Sequence, residues 1–249
     1  MKYKKIVIFG GTSEISLELL DLYSKESEKF IIFCRNEKKF LELVKKKKFF
    51  INIQNKIVIF ETDLYNLDDN LKIIHNLEND ISGVFWVSGY TGDGESEYEK
   101  TDLAEQNIKI NFLNPTIILS EISKKIIKQK NSFIAVFTSV AGLRGRKKLI
   151  YYSSSKSGLI TFLSALRQKL FSENVLVSTI IPGYMSTKPF KQLNQKPMNF
   201  LITDPRKVAI IVRKAINNKK EIVYVNNFWR LIMLIVKSIP EKIFKRFSF

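Results

Sequence analysis

Seven short apolar runs alternate along this chain with stretches of helical spacing, and that alternation constrains the fold more than any other feature. The first is Ile6–Phe9, closed by Gly10-Gly11; Phe30–Phe33, Lys56–Phe60, Gly83–Val87, Ser132–Phe137, Val175–Ile181 and Ile222–Val225 follow. They are hydrophobic nearly throughout, as strands buried on both faces must be. Between them Glu14–Ser24, Lys38–Lys48, Asp68–Leu77, Asp102–Gln129 (interrupted by Pro115) and Ser153–Phe171 carry helical periodicity. The order predicts an α/β fold: a doubly wound, seven-stranded parallel sheet flanked by helices. Ligands of such sheets bind beyond the carboxyl ends of the strands. Eight of the ten glycines (Gly10, Gly11, Gly89, Gly92, Gly94, Gly142, Gly145 and Gly183) fall in those loops, where a ligand needs close backbone approach.

No linker or repeat divides the 249 residues, which predicts one domain over 1–226 with an amphipathic tail over 227–249. Lys45–Lys48 reads as a solvated helix end. The single cysteine, Cys34, reads as a buried thiol and His75 as a surface histidine, since neither has metal-ligand spacing around it. Ile6–Phe9 is too short for a signal peptide's apolar region, so a cytoplasmic protein is expected. The net charge of +17 has two accounts: an anionic partner, or a lysine-rich composition bias. No zinc-finger spacing or RNA-binding signature accompanies it, so no specific nucleic-acid partner is expected.

Chemistry concentrates at four places. Gly10-Gly11-Thr12-Ser13-Glu14-Ile15 joins the first strand to the first helix, where glycines let backbone approach a pyrophosphate and the helix offers free N–H groups. Ser16 stands where a third glycine is usual, and Thr12 and Ser13 could add hydroxyl donors. Arg35, at the end of the second strand, suits a ribose 2′-phosphate better than a 2′-hydroxyl, so of NADP(H) and NAD(H) it points to NADP(H). Ser139 follows the fifth strand, and Tyr152 and Lys156 stand four residues apart on the next helix, sharing one face. A neighbouring ammonium and the cofactor's nicotinamide cation are expected to lower the tyrosine pKa; such a tyrosine could protonate a carbonyl oxygen while Ser139 holds that oxygen. Pro182-Gly183 closes the sixth strand.

Together these motifs resemble the short-chain dehydrogenase/reductase family, across nearly the whole chain, and so a Rossmann-type fold. The resemblance implies that Asn111, Ser139, Tyr152 and Lys156 are catalytic. It also implies that Gly10, Gly11, Thr12, Ser13, Ile15, Arg35, Asp63, Leu64, Gly89, Tyr152, Lys156, Pro182, Gly183, Met185 and Thr187 line the cofactor, with Asp63 at the adenine and Thr187 at the carboxamide. The chain departs from the family at Glu14 and Ser16, and reads Val87-Ser88-Gly89 where Asn-Ala-Gly is usual. Pro115 cannot donate to the Asn111 carbonyl four residues earlier, so a kink is expected there. By resemblance a water on that carbonyl would link Asn111 to Lys156.

A narrower resemblance is to the 2′-keto reductases of decaprenyl-phosphoryl-ribose epimerisation in bacterial cell-wall synthesis. It rests on Gly10–Ile15, on Gly89–Gly94 with Gly92-Asp93, and on Glu221–Val225 through Trp229-Arg230 and Ile239–Arg246. It implies a lipid-linked keto-sugar substrate, paired with a separate oxidase; the alternatives are a soluble reductase or alcohol dehydrogenase acting on another carbonyl and a cofactor-binding regulator without turnover, and a homo-oligomer is also expected. The tail's run Leu231–Val236 is too short to span a bilayer. Apolar residues there, Trp229, Ile232, Ile243, Phe244, Phe247 and Phe249 among them, interleave with Arg230, Lys237, Lys242, Lys245 and Arg246. That pattern suits a helix lying in the inner face of the cell membrane, or equally a core or oligomer contact.

Overall fold

The structure is a computed structural model, and it describes residues 1–92, 94–126, 131–187 and 198–247. The seven expected strands form one sheet: β1 (Tyr3–Phe9), β2 (Ser27–Cys34), β3 (Ile57–Glu61), β4 (Ile81–Trp86), β5 (Phe133–Phe137), β6 (Leu176–Ile181) and β9 (Ile222–Tyr224). Their order across the sheet is β3-β2-β1-β4-β5-β6-β9, and every pair is parallel. The order reverses between β1 and β4, which opens the ligand crevice at their carboxyl ends. A separate two-stranded pair joins β7 (Tyr184–Met185) to β8 (Ile202–Thr203).

Period-two alternation sorts the strand side chains into two cores. Ile6, Ile8, Phe30, Ile32, Phe85, Phe133 and Ala135 face α1 (Glu14–Tyr23), α2 (Glu37–Lys45) and the short α3 (Phe50–Ile53). Val7, Phe9, Ile31, Phe33, Val84, Trp86 and Val136 face the other way, towards α4 (Leu67–His75) and two helices, α7 (Asn114–Ser123) and α8 (Ile150–Lys169). Aromatic rings interlock on both faces; Phe9 stacks between Phe33 and Trp86 at 4.4 and 4.5 Å.

The long helical stretch after β4 is broken into pieces. It runs as α5 (Gly94–Glu99), α6 (Thr101–Ile108), a π turn over Lys109–Leu113, and α7. The expected end at Gln129, the loop residue Asp93 and the tail residue Phe249 lie outside the described residues. A helix that the periodicity reading passed over, α9 (Pro205–Asn217), completes the α1 face with Val208, Ala209 and Val212. Its signal was local: Asp204 caps the Arg206 and Lys207 amides and Pro205 occupies the first turn.

The tail folds onto the domain. It consists of α10 (Asn227–Ser238) and, after Pro240, α11 (Glu241–Phe244). Trp229 and Met233 are buried with Val140, Ile181 and Leu201, while Ile232 and Val236 pack at the edge of that cluster. Trp229 and Ile232 therefore face protein, which corrects their reading as outward anchors. The exposed apolar residues are instead Phe228, Leu231, Leu234, Ile235, Ile243 and Phe247. Among the described residues no helix is long and apolar enough to cross a membrane.

Candidate active site

At the carboxyl end of β1 the chain turns through Gly10, whose φ of +90° favours glycine. A Cβ there would lie 2.9 Å from the Ser88 backbone nitrogen, so the loops after β1 and β4 are pressed together. A Cβ on Gly11 would run into Ile32. Ser13 caps α1, its hydroxyl accepting from the Ile15 amide at 3.3 Å, and Thr12 lies half-buried before it. Ser16, fully buried, donates its hydroxyl to the Gly10 carbonyl at 2.8 Å. The residue in the third glycine's place thus ties the helix to the turn.

Arg35 is exposed just past β2. Past β3, exposed Asp63 accepts from the Tyr65 amide at 3.0 Å and buried Leu64 closes the turn. Asn114, which sequence reasoning missed, donates to the Leu64 and Tyr65 carbonyls at 2.8 Å each and fixes that loop to α7. These groups ring the crevice where β1 and β4 diverge, and their chemistry fits a dinucleotide: a glycine floor, a helix N-terminus, a cation and a carboxylate.

Across the crevice, α8 places Tyr152 and Lys156 one turn apart, with Lys156 Nζ 5.7 Å from the tyrosine ring centre. Ser139 lies beside Tyr152, and its oxygen accepts from the Ala141 amide at 3.1 Å. Lys156 is only 2% exposed and donates to the Phe137 carbonyl at 3.4 Å. Burial pulls its pKa down to about 8. Tyr152 moves the other way: burial raises its pKa, against smaller lowering by the Ser139 hydrogen bond and the Arg146 charge. Desolvation of the phenolate is the largest influence here; the expected lowering draws on the cofactor's nicotinamide cation as well as on the Lys156 ammonium. At neutral pH this pair is a phenol beside an ammonium.

Asn111 arrives from the π turn. The Asn114 amide bonds the Lys109 carbonyl five residues back, so the widened turn lies just ahead of Pro115, where a simple kink was expected. The Asn111 side chain reaches towards the lysine: a Cβ on Gly89 would sit 3.3 Å from Asn111 Oδ1 and 3.2 Å from Lys156 Nζ. The Tyr90 backbone holds the amide at both ends, its N–H donating to Oδ1 at 3.0 Å and its carbonyl accepting from Nδ2 at 2.6 Å.

The last wall is the segment after β6. Val140 N–H donates to the Pro182 carbonyl at 3.0 Å, joining the Ser139 loop to Pro182-Gly183. Trp229 lies against Gly183 so closely that a Cβ there would collide with the indole. Met185 pairs in β7 and Thr187 donates its amide to the Met185 carbonyl at 2.7 Å. Arg144, another residue sequence reasoning missed, clamps the tail: it donates to the Lys237 carbonyl at 3.1 Å, pairs with Glu241 at 2.7 Å and stacks on Phe244. Among the described residues no cluster of His, Cys, Asp and Glu could hold a metal.

The family profile described as short chain dehydrogenase matches residues 4–198, a span that contains Ser139, Tyr152 and Lys156. The chain belongs to the short-chain dehydrogenase family. By that membership it is an oxidoreductase. Among curated relatives, Nodulation protein G of Rhizobium meliloti is 27% identical over 145 residues, 57% of this chain and 59% of that protein. The 3-oxoacyl-[acyl-carrier-protein] reductase of Homo sapiens is 23% identical over 196 residues, 78% of this chain and 80% of that protein. In fold the oxidoreductase is similar to a short chain dehydrogenase from Burkholderia cenocepacia solved in complex with NADP. The TM-score is 0.79 at 15% identity, covering 98% of this chain and 97% of that one.

Proposed function

We propose that the protein reduces a ketone with NADPH, using Tyr152 as the acid. The observation that carries this is the geometry at α8: Tyr152 and the buried Lys156 stand one turn apart with the ammonium 5.7 Å from the tyrosine ring centre, and Ser139 lies beside the tyrosine. A raised pKa keeps the phenol protonated, as a donor to a carbonyl oxygen must be. A nicotinamide cofactor held by the crevice would supply the hydride for the carbonyl carbon. Tyr152 gives its proton to the oxygen, Ser139 holds that oxygen, and the Lys156 charge stabilises the phenolate left behind. Gly10, Gly11, Thr12, Ser13, Ile15, Asp63, Leu64, Gly89, Pro182, Gly183, Met185 and Thr187 line the cofactor in this reading. Arg35 would hold the ribose 2′-phosphate, and relatives in fold solved with NADP or NADPH support that choice.

The substrate we propose is the keto-sugar of a polyprenyl-phosphate pentose or a related envelope sugar, delivered by a separate oxidase. Its support is the tail. Phe228, Leu231, Leu234 and Ile235 form an exposed apolar arc on α10, opposite the packed Trp229 and Met233, and Arg230 and Lys237 flank it. Such a face suits the surface of an anionic bilayer. Arg144 and Trp229 tie this helix to the loops bearing Ser139 and Gly183, so a lipid-borne sugar would meet the site beside the surface. A second reading is favoured by the curated relatives described as 3-oxoacyl-[acyl-carrier-protein] reductases: a β-keto thioester on an acidic carrier, which +17 would attract.

The test is NADPH oxidation with a polyprenyl-phosphate keto-pentose and with acetoacetyl carrier protein, alongside sedimentation with phosphatidylglycerol vesicles. Turnover of the keto-sugar with vesicle binding supports the first reading. Turnover of the thioester alone, from protein that stays in the supernatant, replaces it with the second.

A further inference from the structure

A buried carboxylate lies two side chains from the catalytic centre. Glu97 is 1% exposed; its Oε1 accepts from Asn107 Nδ2 at 2.8 Å, and its Oε2 is buried with no hydrogen-bond partner among the described residues. Asn107 is fully buried, and its Oδ1 accepts from Asn111 Nδ2 at 2.8 Å. Asn111 then presents its Oδ1 to the Tyr90 amide and to the neighbourhood of Gly89 and Lys156. The chain Glu97–Asn107–Asn111 therefore runs from a sealed carboxylate to the buried lysine.

The direction of this chain follows from donor and acceptor chemistry. Asn107 turns its NH₂ to Glu97 and its oxygen to Asn111, so each amide in the chain has one donor end and one acceptor end engaged. Asn111 must then answer with its NH₂, which leaves its oxygen for the Tyr90 and Lys156 side. Glu97 also holds the loop that supplies Tyr90. Gly92 has a φ of +68°, and a Cβ on it would overlap the Glu97 carboxylate, so loop and carboxylate are packed against each other. A buried carboxylate oxygen with no donor costs stability and calls for a reason.

We propose that Glu97 is a positioning residue: its carboxylate sets which way the Asn107 amide faces, and through Asn107 it steadies the Asn111 amide that the Tyr90 backbone orients, with its oxygen on the Lys156 side. The inference rests on the reading of Tyr152 and Lys156 as the reaction machinery. It adds that the loop glycine Gly92 exists to admit that carboxylate. Without Glu97, Asn107 loses the acceptor that fixes its amide and its bond to Asn111 Nδ2 loosens; Asn111 is then held by the Tyr90 backbone and the Asn107 carbonyl alone, and its oxygen is less firmly placed beside Lys156.

Three variants test it, with NADPH and the ketone turned over in the substrate panel. Glu97→Leu removes the acceptor and should lower kcat roughly 10–100-fold, as a misplaced group at an active site does. The KM for NADPH should stay within about twofold, and the alkaline limb of the kcat–pH profile should move to lower pH. Glu97→Gln keeps an oxygen for Asn107 and should restore both kcat and the profile. Gly92→Ala pushes the carboxylate aside without removing it and should reproduce the Glu97→Leu phenotype, even if Glu97→Leu itself fails to fold. A crystal structure of either impaired variant should show the Tyr90 N to Asn111 Oδ1 separation opened beyond ~3.5 Å, a readout that needs no substrate. An intact pair there, a wild-type pH profile, or equal losses in the leucine and glutamine variants would overturn the proposal. Tyr152→Phe is the control: near-normal turnover in it would sink the catalytic reading itself, whatever Glu97 does.

Discussion

Gly183→Ala is the sharpest probe of how the tail is joined to the cofactor crevice. Gly183 has an ordinary φ, so the substitution is judged on space alone. The new methyl would overlap Nε1, Cδ1 and Cε2 of Trp229. That indole cannot slide freely: it is 5% exposed, packed among Val140, Ile181, Leu201 and Met233, and donates to the Leu201 carbonyl at 3.1 Å. Overpacking a core costs about 1–3 kcal/mol, and giving up a buried hydrogen bond about 0.5–1.5 kcal/mol more. A loss of roughly 2–4 kcal/mol follows, which for a domain this size lowers Tm by roughly 4–16 °C. Thermal unfolding reads it, and a double-mutant cycle with Trp229→Phe locates it. The smaller ring makes room for the methyl, so the double variant should be more stable than the sum of the single effects predicts, by about 1 kcal/mol or more. Additivity within about 0.5 kcal/mol would show that the two residues do not collide, and would remove the mechanical link between tail and site.

Three further outcomes are expected. Lys156→Met should abolish most turnover yet raise stability at pH 7. The folded pKa of about 8 lies below the ordinary 10.5, so burying the ammonium costs stability in full below pH 8, and that cost fades between 8 and 10.5. The Tm gain over wild type should accordingly shrink as pH rises through that window, and a gain independent of pH would refute the assignment. Arg35→Asp should raise the KM for NADPH far more than that for NADH in steady-state assays; equal effects would show that Arg35 does not choose between them. Replacing Phe228, Leu231 and Ile235 by serine should release the protein from phosphatidylglycerol vesicles at unchanged Tm and unchanged turnover of a water-soluble ketone, whereas retention on the vesicles would dismiss the exposed arc as the anchor.

The parts of this molecule legible in its sequence are those set by local periodicity or short spacing. All seven main-sheet strands could be read from their apolar runs, because a strand covered on both faces must be apolar along its length, and Ser139, Tyr152 and Lys156 could be read because four residues is one helical turn. The parts that escaped depend on what lies far away in the chain. Spacing reveals the charge beside Tyr152 but not how much water the fold removes from it, and burial is the largest influence on its pKa here. Arg144 looks like any cation in a cationic chain until the fold brings Lys237 and Glu241 to it. Trp229 reads as an interfacial aromatic until Gly183 is found beneath it. Glu97 is the most instructive case. Charged residues are almost never fully buried, so a sequence reader places a glutamate in a Ser- and Tyr-containing loop at the surface. Only Gly92 hinted otherwise, as a position that cannot carry a side chain because another residue's carboxylate already fills the space. The tail is ambiguous in sequence for a different reason: α10 is apolar on both sides, one side for Met233 and Trp229 in the cluster and the other for Leu231 and Ile235 outside it. A helix that packs with one face still has to explain the other, and here the unexplained face is ringed with cations and attached through Arg144 to the loop that carries Ser139.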